Sequence, residues 1–257
     1  MSKAPAYTAL ELMACVASRL LPDKRSIFVG TGLPIIAAML AQRMHAPGLL
    51  IVFEAGGIGP RIPVLPISVG DSRTFHQAIG ATSMHEVMSL SQAGYLDYGF
   101  IGAAQIDRYG NINTTAIGDY QHPTTRLPGS GGANDVASLS HHTIIIMRQD
   151  TRKFVEQVDF LTTPGYLSGS GAREAAGLPA GGGPYRVVTQ LGLYGFDESS
   201  KRMRLRSLNP GVTLEQMQEN SGFEILVPEA IDQNPAPSEE ERRLLKEIDP
   251  ERLVLGR

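Results

Sequence analysis

One carboxylate in this chain stands where a buried strand should end. Glu54 follows the apolar run 49–53 and is followed at once by Ala55-Gly56-Gly57. A turn with so few side chains would let the backbone or a carbonyl of a ligand approach the carboxylate closely. Because open α/β sheets carry their chemistry at the ends of their strands, Glu54 is the first candidate for a reacting group.

A second candidate is the loop Gly129-Ser130-Gly131-Gly132-Ala133-Asn134-Asp135. Three glycines before a helix start let successive backbone N–H groups converge, which is the geometry that stabilises a developing negative oxygen. The same glycines would also suit a flexible connection. Asn134 and Asp135 favour the functional interpretation, because they can cap the helix and fix the loop.

The elements around Glu54 form one recognisable unit. Thr8 and Glu11 are spaced as a capping box that opens a first helix, which should end near Pro22. A strand at 26–30, a tight turn at 30–32, a helix at 34–44 and a strand at 49–54 then follow. This order predicts a βαβ unit with parallel strands and a right-handed crossover.

The rest of the chain predicts further strands and helices. Residues 104–135 lie between two predicted strands and are too long for a mere connection, so we interpret them as functional. Capping boxes at Thr213 with Gln216 and at Ser238 with Glu241 predict two more helices, and residues 234–237 predict a linker. The remaining predictions are a helix at 84–93, buried strands at 98–103 and 143–147, and antiparallel strands at 185–190, 193–197 and 203–208. We expect one α/β domain over residues 1–257, an open and mostly parallel Rossmann-like sheet with flanking helices and a C-terminal antiparallel portion.

Other chemistries fit the residues less well. The pattern Gly30-x-Gly32 followed by Glu54 imitates a dinucleotide-binding fingerprint, but Ile35 occupies the position of the third glycine. No serine has glycine two residues before and two after it, so the nucleophile elbow of a serine hydrolase is absent from the sequence. The six histidines include no pair at i and i+4, and we expect no metal site.

Two further features have ordinary interpretations. Cys15 lies on the apolar side of the first helix, where a cysteine is usually an inert small hydrophobe. Arg202, Arg204 and Arg206 alternate and share one strand face, which more often marks a solvated surface than a phosphate site.

Composition limits the partners and the compartment. The chain has 257 residues, 42% hydrophobic and 19% charged, with a net charge of −3. This balance gives no electrostatic footprint for nucleic acid or an anionic membrane, and no apolar stretch is long enough to span a bilayer. A single cysteine and an N-terminal apolar stretch interrupted by Glu11, unlike a secretory leader, lead us to expect a cytoplasmic protein.

A carboxylate at Glu54 is suited to one kind of substrate. It is a poor nucleophile toward ordinary esters, but with a thioester it exchanges one activated acyl group for another at little net cost. Such covalent catalysis runs in two half-reactions with ping-pong kinetics. It needs an aimed carboxylate, a pocket for the oxyanion and shelter from water.

Several segments in order resemble the β-type subunit of family I coenzyme A transferases, closest to the glutaconate and 3-oxoadipate branches. They are Val52-Phe53-Glu54-Ala55-Gly56, Gly102-Ala103-Ala104-Gln105-Ile106-Asp107-Arg108-Tyr109-Gly110-Asn111-Ile112-Asn113, Gly118-Asp119-Tyr120 and residues 129–135. The resemblance runs over nearly the whole chain. Many family members have Ser-Glu-Asn-Gly or Glu-Ser-Gly around the nucleophile, where this chain has Phe-Glu-Ala-Gly.

The resemblance implies that Glu54 carries coenzyme A as a thioester and that Gly131-Gly132 holds the thioester oxygen. It also implies an α-type partner subunit, acyl-CoA and carboxylic acid substrates such as glutaconate or 3-oxoadipate, and no permanently bound cofactor. We expect Ala133 and Asn134 to extend the oxyanion and coenzyme A-binding segment, and the pocket to include Gly30, Thr31, Gly32, Gly56 and Gln105. Two alternatives stay open: an acyl-CoA hydrolase or decarboxylase on the same scaffold, and a non-catalytic ligand-sensing module.

Overall fold

The computed structural model describes residues 7–256, which form two compact units. The first unit contains the chain up to Met88 and again from Pro235, and the second contains Ser89–Asn234. The predicted linker at 234–237 therefore stands where the chain re-enters the first unit. The single domain over residues 1–257 stays a prediction, and residues 1–6 of the predicted N-terminal region lie outside the described part.

The first unit begins with a helix, a strand and a second helix, as the sequence predicts. Thr8 accepts from the backbone of Glu11 and the Glu11 side chain accepts in return, so the predicted capping box is confirmed. The elements are α1 (Ala9–Ser18), β1 (Ser26–Val29), α2 (Leu33–Met44), β2 (Leu50–Val52), β3 (Gly57–Ile58), a 3-10 helix (Ser72–Phe75), β4 (Gly80–Ala81) and, after the linker, α7 (Glu239–Ile248).

The sheet of the first unit starts from the predicted parallel pair. β1 and β2 run parallel, with Ser26 beside Leu50 and Phe28 beside Val52. β2 then turns back into β3, which pairs with it and with β4 in antiparallel fashion. The sequence gives no sign of β4, because a two-residue strand carries no periodicity.

Three helices of this unit pack on one another. The sides of α1 and α2 that face the core are almost entirely buried, including Cys15, Ile35 and Leu40. α7 contacts both helices and opens with the predicted capping box of Ser238 and Glu241. Buried residues run without a break over 11–18 of α1 and 34–41 of α2, so these two helices are part of the core of the first unit.

The second unit contains the remaining elements. The helix α3 (Met84–Gln92), predicted at 84–93, contains the boundary between the units. The other elements are β5 (Tyr98–Gly102), β6 (Gln105–Ile106), β7 (Ile112–Asn113), β8 (Ala116–Ile117), β9 (Thr125–Arg126), α4 (Ala133–Leu139), β10 (His142–Ile146), α5 (Ala172–Ala175), β11 (Pro184–Val188), β12 (Gly192–Phe196), β13 (Met203–Leu208), α6 (Leu214–Glu219) and β14 (Asp232–Gln233).

The sheet of the second unit has a parallel and an antiparallel part. Strands β5, β10 and β11 are parallel neighbours, with β10 in the centre. β12 and β13 continue the sheet in antiparallel fashion, and β14 ends it beside β13. The predicted α/β class with an antiparallel C-terminal portion is confirmed.

The long segment at 104–135 is ordered and does not form a single loop. It contains two short hairpins, β6 with β7 and β8 with β9, and it ends at the start of α4. The carboxylate of Asp107 stabilises the turn of the first hairpin. It accepts from the backbone N–H groups of Tyr109 and Asn111 and from the Asn111 side chain. Burial raises the pKa of Asp107, although these three hydrogen bonds oppose the shift.

Candidate active site

Glu54 lies at the tip of the hairpin that joins β2 to β3. The Phe53 N–H donates to the carbonyl of Gly57 at 2.9 Å, and the Gly56 N–H donates to the carbonyl of Phe53 at 2.9 Å. Phe53 is buried and anchors the tip, whereas Glu54 is half-buried. Within residues 7–256 no donor is bonded to the Glu54 carboxylate. Its oxygens are therefore neither packed away nor used by a structural ion pair.

Gly56 shapes this tip for a reason that differs from the predicted one. Its φ is +109°, and a Cβ built on it would lie 1.8 Å from the carbonyl oxygen of Thr82. The Thr82 N–H also donates to the Gly56 carbonyl at 3.0 Å. The carbonyl that needs a residue without a side chain is thus the protein's own, and the geometry gives no support to a ligand contact at Gly56 itself.

The turn at Gly30, Thr31 and Gly32 lies at the same edge as Glu54. β1 and β2 are parallel and pair as far as Phe28 beside Val52, so the residues that follow both strands lie at the same edge of the sheet. Gly32 is the N-cap of α2 with a φ of +81°, and no side chain caps the helix. A Cβ built on Gly32 would meet nothing within 4 Å, so the space above the turn is open. The structure therefore brings together Glu54 and the predicted Gly30–Gly32 part of the pocket.

The glycine loop, residues 129–132, leads into α4 in the second unit. Gly129 and Gly131 have φ values of +95° and +49°, and a Cβ on either would meet nothing within 4 Å. Within the described residues no acceptor is bonded to the N–H groups of Gly131 and Gly132. The loop thus presents two unused backbone donors, as a site for a negative oxygen requires.

The residues that follow the glycine loop do not have the roles that the sequence predicts. The N-cap of α4 is Gly132, and neither Asn134 nor Asp135 caps the helix. The N–H groups of Ala133 and Asn134 donate to the carbonyl and the hydroxyl of Ser130, so they are not available to a substrate. The Asn134 side chain does fix the loop, because its Nδ2 donates to the carbonyl of Thr162 at 2.9 Å.

Thr162 also holds the other side of the loop, through Thr114. Its hydroxyl accepts from the Thr114 N–H at 2.9 Å. Thr114 is bonded to Gly129 twice: its Oγ1 donates to the Gly129 carbonyl and its own carbonyl accepts from the Gly129 N–H, both at 2.8 Å. Neither threonine stands out in the sequence. No local pattern could reveal them, because 48 residues separate the two partners.

Gln105 has no place in an open pocket. Its side chain is only 4% exposed, and its Nε2 donates to Asp159 at 3.0 Å. Its Oε1 accepts from the side chain of Asn113 at 2.7 Å and from the backbone of Asp159 at 3.1 Å. Both polar atoms of the amide are occupied by protein groups, so the geometry supports a structural role for this residue.

The remaining candidates behave as ordinary residues. Cys15 is fully buried, and burial raises the pKa of its thiol to about 12. Arg202 pairs with Glu224 at 2.9 Å, and a guanidinium nitrogen of Arg204 lies 3.9 Å from Asp197. Among residues 7–256 no three His, Cys, Asp or Glu side chains are grouped as metal ligands, and no helix is long and apolar enough to cross a bilayer.

Comparisons with known proteins agree with this arrangement. The family model for coenzyme A transferase matches residues 10–220. A 3-oxoadipate CoA-transferase subunit of Pseudomonas knackmussii is 40% identical over 245 residues, covering 95% of this chain and 94% of the relative. A glutaconate CoA-transferase subunit of Acidaminococcus fermentans is 40% identical over 250 residues, covering 95% and 93%. The crystal structure of glutaconate coenzyme A-transferase from Acidaminococcus fermentans has a TM-score of 0.93 at 39% identity, with 98% of each chain covered.

The α/β scaffold is matched over most of the chain in both sequence and structure, and this match defines the class. The chain belongs to the coenzyme A transferase family. The family resemblance, the fold and the enzyme class predicted from the sequence are therefore confirmed.

Proposed function

We propose that this chain is the β-type subunit of an enzyme that moves coenzyme A from an acyl-CoA to a carboxylic acid. The acid is a dicarboxylate or a 3-oxo acid of the kind that glutaconate and 3-oxoadipate represent. The observation that carries the proposal is Glu54, a half-buried carboxylate at a hairpin tip with no structural partner among the described residues. The turn that ends at Gly32 leaves room for an acyl group at the same edge, since a Cβ built on Gly32 would meet nothing within 4 Å.

The reaction is balanced without any other reagent. A carboxylate oxygen of Glu54 attacks the thioester carbon, the C–S bond breaks, and an acyl-glutamyl anhydride and the coenzyme A thiolate form. The thiolate then attacks the glutamyl carbon of the anhydride and releases the first acid as its carboxylate. The second acid reverses these two steps on the glutamyl thioester, which regenerates Glu54 and yields the new acyl-CoA. Each step therefore exchanges one acyl activation for another.

Two backbone donors complete the chemistry. Each attack turns a carbonyl oxygen into an oxyanion, and we assign its stabilisation to the N–H groups of Gly131 and Gly132. This assignment is supported because neither N–H group has an acceptor within the described residues, whereas the N–H groups of Gly129, Ala133 and Asn134 are bonded. The loss of one such donor typically costs about 2.7–4 kcal/mol of transition-state stabilisation.

The proposal includes partners and a location. Both relatives above are named as one subunit of a CoA-transferase, and we propose that this chain works with an α-type subunit. Acyl-CoA is the substrate in this reaction, which needs no permanently bound cofactor or metal. We propose the cytoplasm as the compartment, in line with the single buried cysteine.

Trapping the covalent intermediate tests the proposal. The chain co-purified with its α-type partner is incubated with acyl-CoA and digested for mass spectrometry with and without prior borohydride treatment. Without borohydride, the peptide containing Glu54 should carry a coenzyme A adduct. Borohydride reduces the thioester and releases the coenzyme A thiol, so the treated peptide should carry a primary alcohol in place of the Glu54 carboxylate, and Glu54→Gln should abolish both products. Glu239→Gln, which changes an exposed glutamate at the start of α7, is the matched control and should keep the adduct.

Other outcomes separate the alternatives. Release of free acid without an acceptor and without an adduct would show a hydrolase, in which Glu54 orients water. Loss of carbon dioxide from the acyl group would show a decarboxylase. Binding of acyl-CoA without any turnover would show a sensing module. Each of these results would overturn the transferase proposal.

A further inference from the structure

Thr162 is hydrogen-bonded on both sides of the glycine loop: through Thr114 to Gly129, where the loop begins, and directly to Asn134, two residues after it ends. Thr162 has no proposed role in the chemistry itself. We propose that Thr162 is a positioning residue, which holds residues 129–134 in the shape that presents the N–H groups of Gly131 and Gly132. This inference rests on the proposed function of those two donors. The order that Thr162 gives to the loop is a separate property, which hydrogen exchange measures without catalysis.

The first tie reaches the loop from its N-terminal side. The Thr162 hydroxyl accepts from the Thr114 N–H at 2.9 Å and shares a hydrogen bond with the Thr115 hydroxyl at 2.7 Å. Thr114 in turn exchanges two hydrogen bonds of 2.8 Å with the backbone of Gly129. The position of Gly129 is therefore set by Thr162 through a single intermediate residue.

The second tie reaches the loop from its C-terminal side. Asn134 is the second residue of α4, and its side-chain amide donates to the Thr162 carbonyl at 2.9 Å. Thr162 itself is fixed by the backbone, because its N–H donates to the carbonyl of Ile112 at 2.9 Å. Thr162 is only 6% exposed, and its bonds to Thr114, Thr115 and Asn134 are partly buried. Both ends of the glycine loop thus converge on one buried side chain and its carbonyl.

The far end of α4 is fixed in a similar way. Arg173 is 2% exposed, and its guanidinium donates to the carbonyls of Ala137 and Ser138 near the C-terminus of the helix. The same group donates to the carbonyls of Pro164 and Gly165, which follow Thr162 in the chain. A cation at this helix end also complements the helix dipole. Residues 162–165 are therefore bonded to the start of α4 directly, at Thr162, and joined to its end through Arg173.

The middle of the loop shows what the ties achieve. Gly131 has a φ of +49° and open space around it. The Ala133 N–H closes the turn onto the Ser130 carbonyl, but the bonds that join this turn to the rest of the unit are those of Gly129 and Asn134. Donors that stabilise a transition state must be in place before the reaction, because reorganising them would consume the stabilisation they give. The bonds to Thr162 supply that fixed frame, and a misplacement of about 1 Å is enough for a loss of about a hundredfold in rate.

Two substitutions cut the ties one at a time. Thr162→Val keeps the shape of the side chain and removes the hydroxyl, which releases Thr114. Asn134→Ala removes the other tie at an exposed position, where little stability is at stake. Each variant, co-purified with the partner subunit, should lower kcat and the rate of adduct formation between about 10- and 100-fold, with KM for both substrates within about twofold.

The controls distinguish positioning from general stability. Thr162→Ser restores the hydroxyl and should restore most of the rate. Thr163→Val changes the adjacent residue, whose hydroxyl is buried and bonded to nothing in the described chain, and it should leave kcat unchanged. Hydrogen exchange of a peptide covering 127–136 gives the readout without catalysis. The bonded N–H groups of Gly129, Ala133 and Asn134 should exchange faster in Thr162→Val than in Thr163→Val.

The outcomes separate the two proposals. If the wild-type enzyme forms the adduct but Thr162→Val matches Thr163→Val in both rate and exchange, the positioning role is refuted and the transferase stands. If KM rises while kcat holds, Thr162 serves binding and the positioning role is again refuted. If the wild type forms no adduct, the proposed function fails and the catalytic part of this inference fails with it. Faster exchange in that case would still show that Thr162 holds the loop.

Discussion

Replacing Gly56 with alanine should reveal how tightly the Glu54 hairpin is built. The new Cβ would lie 1.8 Å from the Thr82 carbonyl oxygen, whereas ordinary contact begins at 3.4 Å, so the two atoms must part by about 1.6 Å. That movement puts at risk the hydrogen bond from the Thr82 N–H to Gly56, worth about 1 kcal/mol. Overpacking adds about 1–3 kcal/mol. Backbone strain at a φ of +109° adds about 1–3 kcal/mol more.

Gly32→Ala is the matched control for this prediction. Gly32 also has a positive φ, of +81°, but a Cβ there would meet nothing within 4 Å. Gly32→Ala should therefore be destabilised by backbone strain alone, about 1–3 kcal/mol. The free energy of unfolding from urea titrations should be lower for Gly56→Ala than for Gly32→Ala by about 2–4 kcal/mol. Equal losses in the two variants would refute the close approach of Thr82 as the reason for glycine at position 56.

Substitution or modification of Glu54, Cys15 and Glu241 in the first unit should have three further effects. Glu54→Asp shortens the reacting arm by one methylene, so transfer should fall at least about a hundredfold while the melting temperature holds, and unchanged transfer would contradict the nucleophile role. Cys15 should resist a thiol reagent at pH 8 until the protein unfolds, because burial raises the pKa of its thiol to about 12. Glu241→Gln should destabilise the protein by about 1.5–3 kcal/mol near neutral pH, since it weakens the bonds of 2.8 and 2.6 Å from Arg19. Burial opposes ionisation of Glu241, but the Arg19 and Ser238 donors hold its pKa below the usual value, so the stability difference between wild type and variant should shrink as pH falls below about 4.3.

The sequence predicted the parts of the fold that depend on local spacing. The capping boxes of Thr8, Thr213 and Ser238 each open a helix where they were expected. Such boxes are reliable because a span of four residues contains both partners of both hydrogen bonds. The strand that precedes Glu54 was also recognisable, because a run of apolar residues bounded by glycines has few other interpretations.

Short pairings between distant residues could not be predicted in this way. β3 and β4 have two residues each, and their pairing depends on the Thr82 backbone reaching Gly56. The same limit applies to Gln105, whose place in a resembling motif suggested a pocket although its partner Asp159 is 54 residues away. Whether a polar residue faces a ligand or another residue is decided by such distant partners.

The sequence by itself predicted Glu54 as a candidate nucleophile and placed glycines around it, because residue types and short spacings indicate a strand-end carboxylate and turns with few side chains. Only the tertiary structure decided which backbone donors remain unused. Within the described residues, Gly131 and Gly132 keep free N–H groups while those of Ala133 and Asn134 are bonded to Ser130. The physical reason is that backbone donors find their acceptors throughout the folded chain. Whether an N–H group stays unbonded therefore depends on residues that can lie far from it in sequence.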